Sequence, residues 1–169
     1  MKVILYMAIT PNGLIAKEND DVSFVSKVSW RGYLKNVKKA GCAIIGRRTY
    51  EVMSTTEFVK GALYIVLTHN KKLKKKSPTV RFTNENPKLV LKSLEREGIK
   101  KVCISGGGGL NSSFIKENLI DEMYLDVEPT LLGKGIKVFA DADFDRKLKL
   151  LDIKKLSKNE VQLHYKVIK

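Results

Sequence analysis

The sequence is poor in the residues that build covalent or metal-bound scaffolds. It has 2 cysteines, 2 histidines, 4 prolines and 1 tryptophan in 169 residues. So few cysteines exclude the disulfide framework of a small secreted domain. Cys42 and Cys103 each lie inside an apolar run, Cys42-Ala43-Ile44-Ile45 and Val102-Cys103-Ile104, and read as buried free thiols. With only His69 and His164 to join them, no metal-ligand cluster is visible. No apolar run reaches the length of a membrane span, and Met1 to Ala8 is too short for a signal peptide and lacks a cleavage pattern. A cytoplasmic protein with no membrane partner is expected. Acidic residues are scarce too: 18 against 32 lysines and arginines, a net charge of +14. That excess raises nucleic acid as a partner. The densest basic run, Lys71-Lys72-Leu73-Lys74-Lys75-Lys76, has no interleaved aromatics for base stacking, and the other lysines are scattered. No nucleic-acid partner is expected; attraction of a phosphorylated small molecule explains the charge as well.

What remains is an ordinary globular chain, 43% hydrophobic and 30% charged, of a length for one domain over residues 1–169. Its most informative stretch is Ile104-Ser105-Gly106-Gly107-Gly108-Gly109-Leu110. The β-branched run Lys101-Val102-Cys103-Ile104 before it reads as a buried strand. Leu110, Phe114 and Ile115 after it share one helix face. Four glycines at a strand-to-helix junction let the backbone approach a ligand, and the helix start offers unpaired N–H groups and a positive dipole end. Such a junction suits a phosphate or dinucleotide, although the spacing is not the usual dinucleotide fingerprint. A second junction of the same kind follows the buried run Cys42 to Ile45: Gly46-Arg47-Arg48-Thr49-Tyr50 adds two arginines and a hydroxyl, which grip phosphate well.

Along the chain, residues 2–9 read as a strand and Thr10-Pro11-Asn12-Gly13 as a turn. Leu14-Ile15-Ala16 is apolar again, and Glu18, Asp20 and Asp21 read as solvated charges of a polar loop. Trp30, Tyr33, Leu34 and Val37 predict a helix from about Ser29 to Ala40, with Ser29 as N-cap and Gly41 as its stop. Further strands are expected at 62–67, 80–82 and 122–128. A helix opens at Pro87 and ends near Gly98, and a hairpin spans 147–156 and 160–168. Strands alternating with helices predict an α/β fold with a mostly parallel central sheet, helices on both faces and a closing antiparallel hairpin. Ligands of such sheets sit outside the carboxyl ends of the strands, where 46–49, 68–72 and 105–109 would converge.

Four motifs carry a resemblance, running from about Lys2 to Lys169, to the dihydrofolate reductase superfamily, most closely its riboflavin-biosynthesis reductase type. They are Ala8-Ile9-Thr10-Pro11-Asn12-Gly13-Leu14-Ile15-Ala16, Ile45-Gly46-Arg47-Arg48-Thr49-Tyr50-Glu51, Ile65-Val66-Leu67-Thr68, and Ser105-Gly106-Gly107-Gly108 with Leu125-Asp126-Val127-Glu128-Pro129 and Leu132-Gly133. The resemblance implies a dihydrofolate reductase-like three-layer α/β/α fold and hydride transfer from NADPH. The nicotinamide would lie near Ala8, Ile15 and Ala16. Arg47 would hold the adenosine 2′-phosphate beside Leu67, Thr68, His69 and Lys71 or Lys72. Gly46, Arg48, Thr49, Ser105, Gly106, Gly107, Gly108, Gly109 and Leu110 would cradle the pyrophosphate.

Two departures argue against folate: no carboxylate in Val28-Ser29-Trp30-Arg31, and Gly61-Ala62 where folate enzymes carry an arginine. The substrate so implied is 5-amino-6-(5-phosphoribosylamino)uracil or its diamino analogue. Dihydrofolate reduction and a catalytically degenerate NADP-binding protein are the alternatives. Asn12 stands where an aspartate is usual and would hydrogen-bond a sugar hydroxyl. Asp126 and Glu128 are the acids left to orient a pyrimidine, and Trp30 and Tyr33 are the candidate pocket walls. A homodimer is expected from the same resemblance.

Overall fold

β-Branched and aliphatic runs too apolar for any but a doubly covered position form the middle of one eight-stranded sheet. The computed structural model describes residues 1–53, 58–70, 73 and 77–169. Its strands are β1 (Lys2–Ile9), β2 (Leu14–Ala16), β3 (Cys42–Gly46), β4 (Leu63–Leu67), β5 (Val80–Thr83), β6 (Lys101–Ile104), β7 (Glu122–Val127), β8 (Ile136–Lys137), β9 (Leu148–Lys155) and β10 (Val161–Val167). Its helices are α1 (Lys27–Ala40), α2 (Arg47–Val52), α3 (Pro87–Arg96) and α4 (Gly108–Lys116). The main sheet has the order β5-β4-β3-β6-β1-β7-β10-β9. From β5 to β7 all neighbours are parallel, whereas β10 is antiparallel to both of its neighbours, β7 and β9. The α/β architecture with a C-terminal antiparallel hairpin is the one expected.

Side-chain alternation splits the interior into two cores, one on each face of the sheet. Val3, Leu5, Ile44, Val102 and Ile104 meet α3 and α4 through Leu91, Leu94, Phe114 and Ile115. Tyr6, Ala43, Ile45, Tyr64 and Cys103 meet α1 through Tyr33 and Val37. Cys42 and Cys103 are buried free thiols, and desolvation pushes both up to about 12, so they are inert packing groups.

Three details depart from the sequence expectations. Helix α1 starts one turn early: Ser26 is the N-cap, and its hydroxyl accepts from the Ser29 N–H at 3.1 Å. The Glu128 carboxylate fixes that start by accepting the Ser26 N–H at 3.0 Å, a partner remote in sequence. Ser29 is thereby freed from capping. The glycine run is only half loop, because α4 already begins at Gly108. Finally, Leu14–Ala16 pairs with Ile136–Lys137 in a small separate sheet that period-2 alternation cannot reveal in segments of three and two residues.

Candidate functional site

Strand order explains why distant motifs meet. Strand β6 is inserted between β3 and β1, so the carboxyl ends of these three neighbours lie side by side. The two glycine junctions touch directly: the Gly46 N–H donates to the Gly106 carbonyl at 2.8 Å. Gly106 has φ 81° and the Gly106–Gly107 peptide bond is cis. Helix α4 is capped by Gly107 with no side-chain hydrogen bond, which leaves its first N–H groups facing the hollow. The far side of α4's first turn is fastened to the strap after β8. Asn111 Nδ2 donates to the Val138 carbonyl and Ser112 Oγ to the Ala140 carbonyl, each at 2.7 Å.

The resulting cavity has a volume of about 640 Å³, within the range usual for small-molecule sites. One wall is Gly46, Arg47, Arg48 and Thr49 with the run from Ser105 to Leu110. A second is Ala8, Ile15 and Ala16. Trp30 and Tyr33 of α1 form part of a third, their rings 5.2 Å apart. Both arginines are engaged: Arg47 pairs with Glu51 at 2.7 Å and Arg48 with Asp20 at 2.8 Å. Asp20 therefore lines the cavity rather than standing as a mere solvated loop charge. Asp21 does keep to its loop, where Lys17 and Ser23 lower its carboxyl to about 2.

Other expected site residues lie elsewhere. Asn12 does not line the cavity; its amide donates to the Leu132 carbonyl at 2.7 Å and its oxygen accepts from Thr10 at 2.8 Å, so it staples two loops. Leu67 ends β4, one strand beyond Gly46, and Thr68 and His69 follow it; all three lie outside the cavity lining. The Thr68 N–H is turned to the Thr83 carbonyl of β5. Lys71 and Lys72 fall outside the described residues. Among the described residues, two of the three expected strand tips open into the hollow.

Asp126 and Glu128 lie beneath the cavity and not on its surface. Asp126 is fully buried: the Tyr6 hydroxyl donates to it at 2.6 Å and Gln162 Nε2 at 2.7 Å. Burial raises its proton affinity, against the opposing pull of Tyr6, Gln162 and Ser29. Glu128, also buried, is raised by desolvation and by its neighbour Glu160, while hydrogen bonds from Ser157 and Ser26 lower Glu160. Tyr6 fits here because Gly32 of α1 has no side chain; a Cβ there would strike the Tyr6 hydroxyl. Sequence reading missed Tyr6, Ser26, Ser29 and Gln162. The phase of the strand puts Tyr6 on the α1 face, but only the pairing of β1, β7 and β10 sets it beside Gln162, and only the packing of α1 adds Ser26 and Ser29.

Comparison with known proteins matches this arrangement to a family. A model of the RibD C-terminal domain family covers residues 1–162. The chain belongs to that family. It is 31% identical over 170 residues to the uncharacterized protein YwjB of Bacillus subtilis, covering 97% of each chain. Over 65 residues, 37% of this chain and 30% of the relative, it is 34% identical to the 2,5-diamino-6-ribosylamino-4(3H)-pyrimidinone 5′-phosphate reductase of Archaeoglobus fulgidus. The fold matches RibD of Acinetobacter baumannii with a TM-score of 0.82 at 23% identity, covering 99% of this chain and 58% of that one. Membership makes this a RibD-type, pyrimidine reductase-like domain. Among the described residues, no helix is long and apolar enough to cross a membrane.

Proposed function

We propose that this chain is an NADPH-dependent reductase acting on a phosphorylated ribosylaminopyrimidine, 5-amino-6-(5-phosphoribosylamino)uracil or its diamino analogue. The observation that carries this reading is the pairing of an uncapped α4 start with Arg47, Arg48 and Thr49 across one hollow. The donor set fits a dinucleotide. Glycines keep that wall open (a Cβ at Gly109 would meet nothing within 4 Å), and backbone N–H groups with guanidinium forks suit pyrophosphate oxygens. Gly106 to Gly109, Arg48 and Thr49 would hold the pyrophosphate. Arg47 would hold the 2′-phosphate, with Thr68 and His69 one strand away for the adenosine end. Ala8, Ile15 and Ala16 offer a flat apolar face for the nicotinamide, which when bound supplies a hydride. The substrate would sit against Trp30 and Tyr33, and α1 over the cavity excludes water from one side of it. Support for the substrate comes from the family and from the A. fulgidus reductase segment.

Titration of NADPH and NADH against Arg47→Ala tests the cofactor assignment. Losing a charge-assisted contact to the 2′-phosphate weakens NADPH binding by roughly 10- to 100-fold and spares NADH. Equal weakening of both would remove that role from Arg47.

A further inference from the structure

Between the cavity and the sheet lies a group of acids that neither cofactor nor substrate reaches directly. Asp126, Glu128 and Glu160 are 0%, 1% and 7% exposed, and among the described residues none of them has an ion-pair partner. The groups facing Asp126 are the hydroxyls of Tyr6 on β1 and Ser29 on α1, the Gln162 amide on β10, and the neighbouring carboxyl of Glu160. Lys154, in register with Gln162 on β9, is exposed. Lys27 and Arg31 on α1 are exposed as well. Burial and a like-charged neighbour make such a carboxyl retain its proton more readily than one in water, against the opposing pull of the neutral donors.

Ser29 is the link to the cavity. It is 1% exposed and lines the hollow, and its hydroxyl faces both Asp126 and Glu128 without a hydrogen bond of full geometry to any of the described residues. A buried hydroxyl left unpaired costs stability. Its N–H is used by Ser26, so the side chain is free to turn either way. Glu128 Oε2, beside it, is likewise unpaired.

We infer that Ser29 is the proton donor of the reaction and that Asp126, behind it, is the store from which the proton comes. This rests on the reductase reading above. Hydride addition to the C1′ carbon of the open-chain imine breaks the C=N π bond and puts its electron pair on nitrogen. The Ser29 O–H gives its proton to that nitrogen while the Ser29 oxygen takes the proton of Asp126. The cofactor leaves oxidised, the substrate is an amine, and the charge rests on Asp126, where Tyr6 and Gln162 donate to its two oxygens. Reprotonation follows from the Glu128–Glu160 pair, which reaches the hairpin turn at Ser157. Ser29 is the catalytic residue here, and Asp126 acts through it.

Infrared spectroscopy of the ligand-free protein tests the store without turnover. At neutral pH a protonated-carboxyl C=O band is expected that loses its Asp126 component in Asp126→Asn; no band in the wild type, or a band unchanged in the variant, overturns the proposal. Kinetics test the donor. Ser29→Ala lowers kcat by roughly 100-fold or more, with NADPH affinity unchanged and the alkaline limb of the wild-type pH profile lost. Full kcat in Ser29→Ala, or the same fall with an unaltered profile, overturns Ser29 as donor. Circular dichroism and NADPH binding by each variant separate a folding defect from lost proton transfer. A wild type that shows the band but reduces no ribosylaminopyrimidine would sink the reductase reading and leave the stored proton standing.

Discussion

Asp126 makes stability depend on pH in a direction opposite to that of most carboxylates. Its native proton affinity is raised above the ordinary value of 3.8, chiefly by burial. The folded state thus binds this proton more tightly than the unfolded state does. Its contribution is full below the unfolded value and is lost as pH rises through the raised folded value. Asp126→Asn keeps the shape and a neutral acceptor for Gln162 without the ionisation. In urea titrations, the stability of the variant relative to wild type is therefore expected to improve as pH rises from about 4 toward the raised folded value and then to level off. A difference that stays flat over that range would mean that Asp126 is not protonated in the native state.

At the scale of elements, the start of α4 is where backbone meets backbone. A Cβ on Gly108 would run into the Lys137 carbonyl oxygen of β8, whereas one on Gly109 meets open space. Gly108→Ala should cost about 1–3 kcal/mol, and a melting curve should show a drop of several degrees. Gly109→Ala, inside the same helix, should leave stability unchanged or raise it by up to about 1 kcal/mol. Equal effects of the two would mean that the strap after β8 does not press on the helix. Much of this region was legible in the sequence, because Gly46-Arg47-Arg48-Thr49 and the tetraglycine are local punctuation between a strand and a helix. The roles of Asn12, Thr68, Asp126 and Glu128 were not legible. Asn12 is spent on Leu132 and Asp126 on Tyr6, partners about 120 residues away that only the folded chain brings near. Ser29 shows the same limit on a smaller scale. Two serines three apart both look like caps, and a glutamate from a remote strand chooses between them.

At the scale of the whole molecule, the outer hairpin carries an apolar face. Leu148, Leu150 and Ile153 of β9 are 43%, 46% and 58% exposed. They lie in register with Val167, Tyr165 and Leu163 of β10, which pack on the main core. We propose that a second copy of this chain covers that face. Two copies of a chain with net charge +14 repel wherever lysines meet, and this apolar patch lies on the outermost strand, away from the cavity. Sedimentation should show a dimer for the wild type and a monomer for Ile153→Asp; a monomeric wild type would refute it. The position of the strands has one more consequence. The glycine-and-arginine wall of the cavity comes from the ends of β3 and β6 at the heart of the sheet, whereas Gln162 and Glu160 belong to the peripheral hairpin. Fraying from the C-terminal margin inward would strip Gln162 and Glu160 away from Asp126 first. On the proposed reading such a molecule would go on clasping nucleotide while turnover failed, so holding the coenzyme and using it would be separable in this fold.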